Sequence, residues 1–289
     1  MACLLGPQSE DTANQSIRTA LDLGVNWIDT APFYGWGRAE TIVGKAVQGR
    51  RDQVYIFTKC GTLPDDKQGS RENLTPENIR REVDASLRKL GTNYIDLLQF
   101  HDPDANTPIE ESWTTMQELV GQGKVRYGGL SNHPVELLKR AMKIGPVVSN
   151  QVQYNPLERS VEKEMMPFCQ RNGIGMLGWG SLAEGFLTDN FDLDELDPKD
   201  FRRNHRYGQP GNYAKIVKIR ESLGQIAGKR GKRIVDLVVA WELMHSALTG
   251  AIVGIRSERE AREILGGLGW ELDEEEMKAI DDALAHWRE

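Results

Sequence analysis

The chain has 289 residues, with 36 Lys and Arg against 43 Asp and Glu, and its formal net charge is −7. A hydrophobic share of 39% and a charged share of 27% are typical of a globular protein with a sizeable core, and they exclude intrinsic disorder and fibrous repeats. The negative balance argues against nucleic acid as a partner, because phosphate binding needs a concentrated positive surface.

Neither a membrane-spanning helix nor a signal peptide is predicted. No apolar stretch approaches the ~18 residues that a spanning helix needs, and the first residues lack a basic region followed by a long apolar one. We therefore expect a cytoplasmic protein that does not act at a membrane. Cys3, Cys60 and Cys169 show neither a disulfide framework nor a metal-ligand spacing, so buried free thiols and no metal site are expected.

Short apolar strands alternate with segments of helical period along the chain. The predicted strands span 26–31, 54–60, 95–101, 125–131, 147–154, 174–180 and 250–255, and the predicted helices span 11–23, 39–48, 75–90, 109–120, 134–144, 161–172, 213–230, 234–247, 257–265 and 273–287. This alternation is typical of βα units around a parallel sheet, and it predicts an α/β fold, a single (β/α)₈ TIM barrel domain over 1–289. A doubly wound open sheet is the alternative, but no Gly-x-Gly-x-x-Gly follows the first strand.

Two segments depart from the regular alternation. The first barrel strand is either supplied in shortened form by residues 2–6 or absent together with an amino-terminal hairpin. The segment 188–212 has many charges and weak periodicity, which predicts a long loop after the strand at 174–180. Such loops at the carboxyl ends of barrel strands usually cover an active site, although a solvated insertion without a role is also compatible.

Polar side chains end three successive predicted strands. These are Asp29, Lys59 and His101, and Tyr34 lies on the loop after the first strand. Because the carboxyl ends of barrel strands share one rim, we expect the four to meet there. Lys59 could stabilise the phenolate of Tyr34, and Asp29 could keep Lys59 charged. With His101 hydrogen-bonding a carbonyl oxygen, the set suits carbonyl reduction, whereas a structural ion pair and a core histidine are the alternative.

A known family shares these residues. The stretch GVNWIDTAPFYGWGRAE resembles the GxNxxDTAxxYGxGxxE signature of the aldo-keto reductases, and the resemblance continues through TKCG, LLQFHDPD, GGLSN, QVQYNP, WGSLAEGFLT and VGIRSEREAR. The resemblance implies a barrel enzyme that reduces aldehydes or ketones to alcohols, reversibly, with NADPH. It also implies that Asp29, Tyr34, Lys59 and His101 form a catalytic tetrad in which Tyr34 is the general acid.

The same resemblance implies which residues bind the nicotinamide cofactor. They are Ser131, Asn132 and Gln151 for the carboxamide, Trp179 for the ring, Gly180, Ser181 and Leu182 beside the pyrophosphate, and Gly254, Arg256, Ser257, Arg262 and Glu263 toward the 2′-phosphate and adenine. Ser181 stands where proline is common in the family. The two arginines beside a predicted helix start are the reason to expect NADPH rather than NADH.

Other functions and the substrate remain open at this point. A regulatory or redox-sensing subunit would bind NADP with little turnover. A metal-dependent hydrolase would use His101, Asp102 and Asp104, but no second histidine lies in metal-ligand spacing. The expected partner is a small carbonyl compound, and Trp27, Phe33 and Trp36 predict an apolar wall suited to a moderately hydrophobic aldehyde. The oligomeric state is not predicted.

Overall fold

The computed structural model describes residues 9–65 and 69–287. The strands are Trp27–Asp29 (β1), Tyr55–Cys60 (β2), Thr62–Pro64 (β3), Ser70–Glu72 (β4), Ile95–Phe100 (β5), Val125–Ser131 (β6), Ser149–Gln153 (β7), Gly175–Trp179 (β8) and Leu248–Ala251 (β9). The helices are Glu10–Asp22 (α1), Ala39–Ala46 (α2), Pro76–Leu90 (α3), Ile109–Gly121 (α4), Val135–Met142 (α5), Met165–Arg171 (α6), Pro210–Lys229 (α7), Ile234–Leu243 (α8), Glu258–Glu263 (α9) and Glu274–Leu284 (α10). The predicted first strand at 2–6 lies outside the described residues, as does Cys3.

Seven strands form one sheet in the order β1-β2-β5-β6-β7-β8-β9. The pairings from β1 through β7 are parallel, and helices alternate with these strands along the chain. The remaining strands, β3 and β4, form an antiparallel hairpin of their own. The hairpin was not predicted, because its strands are only three residues long and mostly polar.

The contacts within the chain group it into two compact units. Unit 1 comprises the described residues up to Val152, with Lys163–Leu177 and Gly254–Arg262. Unit 2 comprises Gln153–Glu162, Gly178–Val253 and the described residues from Glu263 onward. The single domain over 1–289 stays a prediction.

Helix α3 shows how local sequence determines the elements of unit 1. Pro76 occupies the first turn, where its fixed φ and missing N–H are tolerated, and Gly91 ends the helix with a φ of 64°. The predicted apolar face is buried, with Ile79 and Val83 both fully covered. Thr75 stands at the N-cap, but its hydroxyl donates to Asn73 Oδ1 at 2.7 Å and caps no helix N–H.

Unit 2 is held by aromatic packing. The ring of Phe186 lies 4.3 Å from that of Phe191 and 5.6 Å from that of Tyr207, and all three are buried.

The prediction that residues 188–212 form one long loop is partly wrong. The segment contains two short 3₁₀ turns, Phe201–Arg203 and Arg206–Gly208, and its last residues already belong to α7, which begins at Pro210 rather than 213.

Most other elements differ from the predicted bounds by a few residues, and two of these differences have a clear physical reason. The last strand lies at Leu248–Ala251, and the apolar residues 252–255 instead connect it to α9. The helix predicted at 161–172 is a 3₁₀ turn followed by α6. Pro167 explains this start, because proline lacks an N–H and is tolerated only in the first turn of a helix.

Buried titratable groups occur in both units. Cys60 and Cys169 are buried free thiols, as predicted. Glu242 on α8 has no exposed surface, and neither of its carboxyl oxygens accepts a hydrogen bond from a described residue. Burial raises the pKa of Glu242 to about 8. The carboxyl lies against the backbone of Gly178, where a Cβ atom would come within 2.0 Å of Oε1.

No helix in the described part of the chain combines the length and the apolar character needed to cross a membrane.

Candidate active site

A buried ion pair joins the ends of two neighbouring strands in unit 1. Lys59 on β2 has no exposed surface, and its Nζ donates to Asp29 Oδ2 at 2.5 Å and to the Thr30 carbonyl at 3.1 Å. Burial acts to lower the pKa of Lys59, but the charges of Asp29 and Tyr34 and the hydrogen bonds to both together outweigh it, and the pKa is raised. The ammonium group therefore stays protonated at neutral pH.

Tyr34 lies beside this pair, in the turn that follows β1. Lys59 Nζ is 4.9 Å from the centre of the Tyr34 ring. Burial raises the pKa of Tyr34, and Lys59 partly opposes that effect. Tyr34 is thus a protonated phenol at neutral pH whose conjugate base would lie next to a fixed positive charge. The turn is compact because Gly35 and Trp36 both adopt left-handed φ values, 57° and 55°.

His101 follows β5 directly and faces Tyr34. The two ring centres are 5.6 Å apart, with the rings at 80°. Burial, with the nearby Lys59 charge, lowers the pKa of His101 to about 3. A neutral imidazole carries one N–H, so His101 can donate a hydrogen bond to an oxygen in the site without adding a charge.

Two glutamines hold the second oxygen of Asp29. Gln151 Nε2 donates to Asp29 Oδ1 at 2.8 Å, and Gln99 Nε2 lies 3.5 Å from the same atom. Gln99 was missed by the sequence analysis. A signal existed, because a glutamine interrupts the apolar β5, in register with Lys59 on the neighbouring strand.

Polar groups at the end of β6 extend the site. The hydroxyl of Ser131 is buried and has no hydrogen-bond partner among the described residues. Asn132, with a φ of 57°, donates from Nδ2 to Asp102 Oδ1 at 2.8 Å and to the His101 carbonyl at 3.4 Å. Since the Gln151 amide donates to Asp29 Oδ1 and lies 3.5 Å from Gln99 Oε1, its carbonyl oxygen and the Ser131 hydroxyl are the groups whose chemistry suits the amide of a nicotinamide.

Two of the predicted phosphate-binding residues of unit 1, Arg256 and Ser257, form hydrogen bonds with Glu260. The Arg256 guanidinium lies 3.0 Å from Glu260, which also accepts the backbone N–H of Arg256 at 2.7 Å. Ser257 caps α9 by accepting the N–H of Glu260, and Gly254 is exposed. Arg262 is exposed and makes no ion pair with any described residue.

The other predicted cofactor residues lie in unit 2. Trp179 ends β8, and Gly180 follows it with a φ of 71°. Ser181 Oγ donates to the Ile252 carbonyl at 3.1 Å, and Leu182 leads into a short 3₁₀ turn. Glu263 forms an ion pair with Arg233 at 3.1 Å.

The aromatic residues predicted to form one wall are divided. The rings of Phe33 and Trp36 lie 6.0 Å apart, and Trp36 is exposed. Trp27 instead stacks on Phe57 at 5.0 Å, two residues before Asp29 on β1. Only Phe33 and Trp36 are therefore neighbours in the loop that carries Tyr34.

The metal-dependent alternative has no ligand set in residues 9–65 and 69–287, where no three His, Cys, Asp or Glu side chains are placed to hold an ion. The Asp104 carboxylate is already engaged in three hydrogen bonds. It accepts the Leu74 N–H at 2.9 Å, the Thr107 hydroxyl at 2.7 Å and the Asn106 N–H at 2.8 Å.

Comparison with known proteins decides the family. The family model described as "Aldo/keto reductase family" matches residues 3–285. The chain belongs to the aldo/keto reductase family. The membership accounts for the meeting of Asp29, Tyr34, Lys59 and His101, the four residues that the resemblance names.

Individual relatives agree with this assignment. An aldo-keto reductase of Bacillus subtilis (strain 168) is 36% identical over 284 residues, covering 96% of this chain and 85% of that protein. An NADH-specific methylglyoxal reductase of Escherichia coli (strain K12) is 33% identical over 277 residues, covering 90% and 85%. The solved structure of a glycerol dehydrogenase from Gluconobacter oxydans aligns with a TM-score of 0.91 at 34% identity, covering 99% of this chain and 88% of that one. The predicted class of fold is confirmed.

Proposed function

We propose that this member of the family reduces aldehydes or ketones to alcohols with NADPH, in a reversible reaction. The observation that carries the proposal is the contact of Tyr34 with the buried Asp29–Lys59 pair, beside a neutral His101. Two similar proteins, a methylglyoxal reductase and a glycerol dehydrogenase, are named for reactions at a carbonyl or alcohol carbon.

The side chains support the proton half of such a reduction. Tyr34 donates its proton to the carbonyl oxygen as the carbon–oxygen double bond becomes single, and the N–H of His101 stabilises the charge that develops on that oxygen. Lys59 stabilises the phenolate that remains, and Asp29 keeps Lys59 charged and in place. Solvent then returns a proton to Tyr34. The nicotinamide cofactor, when bound, supplies the hydride that forms the new carbon–hydrogen bond.

The chain offers groups suited to that cofactor. Ser131 Oγ and the carbonyl oxygen of Gln151 would bind the carboxamide, with Asn132 beside them. Trp179 would stack on the ring, since an aromatic face suits a flat heterocycle. Arg256, Ser257 and Arg262 supply the donors that a 2′-phosphate needs. This last set is the reason to propose NADPH, although one similar protein is named as NADH-specific.

The first experiment is a pair of measurements on the purified chain. Tryptophan fluorescence is followed while NADPH and then NADH are added, and turnover of simple aldehydes is followed by the absorbance of the reduced nicotinamide. We expect tighter binding of NADPH together with turnover. Binding without turnover of any aldehyde, and without oxidation of any alcohol, would support a regulatory subunit instead. No binding of either cofactor would overturn the proposal.

A further inference from the structure

A buried carboxyl group that the proposed reaction does not use lies behind the strand end that carries Trp179. Glu242 on α8 has no exposed surface, and neither of its oxygens accepts a hydrogen bond within the described part of the chain. A Cβ atom added to Gly178 would overlap Oε1, so the carboxyl group packs directly on the backbone of β8, one residue before Trp179. The side chain of Leu248 on β9 lies 3.6 Å from the same Cβ position. The carboxyl group therefore occupies a space bounded by a glycine and an apolar side chain.

Burial without a partner keeps Glu242 uncharged at neutral pH, because a carboxylate is stabilised by water or by a nearby cation. The groups that face it are the Ser181 hydroxyl, after β8, and the Tyr154 phenol, after β7, and neither carries a positive charge. The elements packed against α8 are α7, β9 and the turn Ile264–Gly267, and as far as the chain is described they bring no charged group to the carboxyl. Burial accordingly raises the pKa of Glu242 to about 8.

The backbone in contact with Glu242 is tied by hydrogen bonds to the predicted cofactor residues. The Gly178 carbonyl accepts the N–H of Ile252 at 2.7 Å, and the Ile252 carbonyl accepts the Ser181 hydroxyl at 3.1 Å. A hydroxyl has one proton, so an ionised Glu242 would compete with the Ile252 carbonyl for it. The positions of Trp179 and Ser181 therefore depend on a carboxyl group that needs no donor, which is the neutral one.

We propose that Glu242, in its neutral form, is a positioning residue for the segment 179–182, and that its ionisation weakens the binding of NADPH and NADH alike. An ionised carboxylate draws water or the Ser181 proton into the space behind Trp179. It also repels the negative pyrophosphate of a cofactor bound beside residues 180–182. The inference rests on the proposed binding of a nicotinamide cofactor by this segment, and it predicts that the enzyme loses its cofactor at alkaline pH.

The test is the Kd for NADPH between pH 6.5 and 9.5 in the wild type and in Glu242→Gln. Glutamine keeps the shape of the side chain and cannot ionise. Binding is followed by the emission of the reduced nicotinamide, because Trp241 is next to Glu242 in the chain and its own emission would respond to the ionisation. We expect the ratio of wild-type to variant Kd to be constant below pH 7 and to rise about 10-fold by pH 9.5, with the same change for NADH. Titration of Tyr34 and Lys59 is common to both proteins and cancels in the ratio.

Glu221→Gln is the matched control, because it changes an exposed glutamate on α7 and should keep the pH dependence of the wild type. At saturating NADPH, the pH profile of kcat should be the same in the wild type and in Glu242→Gln, because Glu242 acts through the segment 179–182 and touches no reacting atom.

A ratio of Kd values that does not change with pH would overturn the inference and leave the reductase function standing. A change confined to NADPH would overturn it too, because the titrating group would then act on the 2′-phosphate. A wild type that binds neither cofactor at pH 7 would overturn the proposed function and this inference together.

Discussion

Two regions of unit 1 differ in how far their charged side chains are exposed to solvent. Lys59 is fully buried, and its Nζ lies 2.5 Å from the Asp29 carboxylate. The Arg256 side chain is 56% exposed, and its partner Glu260 is also partly exposed to solvent. In the buried group each charge is bound to a specific partner, and burial shifts the pKa values around it. At the exposed segment water and salt screen each interaction, so its arginines can exchange partners at small cost. We expect proton transfer beside the Asp29–Lys59 pair, and discrimination between NADPH and NADH at the segment around Arg256.

Removing the phenol hydroxyl is the largest expected loss. Tyr34→Phe should lower kcat for aldehyde reduction by roughly 10²- to 10⁴-fold, because phenylalanine has no hydroxyl that can donate the proton. Binding of NADPH, measured by fluorescence titration, should change little. Tyr127→Phe is the matched control, since that ring is 57% exposed on β6. Near-normal turnover by Tyr34→Phe would remove Tyr34 as the proton donor.

Removing Lys59 tests how much the buried ion pair with Asp29 contributes to the free energy of unfolding. Lys59→Met leaves the Asp29 carboxylate buried without its cation, and the free energy of unfolding in urea should fall by about 3–5 kcal/mol. Arg38→Met removes an ion pair with Glu10 at 3.1 Å, in which the side chains are 63% and 42% exposed. That change should cost less than about 1 kcal/mol. Equal losses in the two variants would contradict the contrast between buried and exposed pairs.

Glu242 adds a buried acid that has no paired charge. The pKa of Glu242 is about 8 in the folded chain, against 4.5 for a solvent-exposed glutamate, so only the unfolded state loses this proton between those pH values. Wild-type stability should therefore fall, relative to Glu242→Gln, by about 1.4 kcal/mol per pH unit as pH rises from 4.5 to 8. Urea unfolding of both proteins at pH 5, 6.5 and 8 measures the difference. A stability difference independent of pH would show that Glu242 ionises normally.

The smallest expected effect belongs to the exposed segment. Arg256→Ala should raise the Kd for NADPH about 10-fold and leave that for NADH nearly unchanged, because only NADPH carries the 2′-phosphate. Added salt should reduce the effect. Arg259→Ala, three residues further along the chain on α9, is the control. Equal weakening of both cofactors would place the 2′-phosphate elsewhere.

Strong local signals made the main residues of the site predictable from sequence. Asp29, Lys59 and His101 are polar residues at the ends of apolar strands, and parallel strands bring such ends together. Gln99 was not predicted, although it reaches the same carboxylate. Its role depends on which face of β5 turns toward Asp29, and a strand buried along its whole length shows no alternation that would reveal the face.

The contacts of the exposed segment were harder to predict. Arg256 and Glu260 are four residues apart, a spacing that allows an ion pair on a helix, yet the sequence suggested only that the arginine faces a phosphate. The end of the last strand was placed too late, because the apolar residues 252–255 look the same in a strand and in a buried connection. The apolar pattern of a sequence thus predicts which residues are buried more reliably than it predicts which residues pair in a strand.

The complete burial of Lys59 makes it a natural reporter of opening. An acylating reagent needs a free, accessible amine, and the Nζ of Lys59 is enclosed and hydrogen-bonded in the folded chain. Surface lysines such as Lys278, whose side chain is 74% exposed, should be acylated within the first moments of labelling. The labelling rate at Lys59, followed by peptide mass spectrometry, would then measure how often the fold around Asp29 opens, in a protein whose other lysines have already reacted.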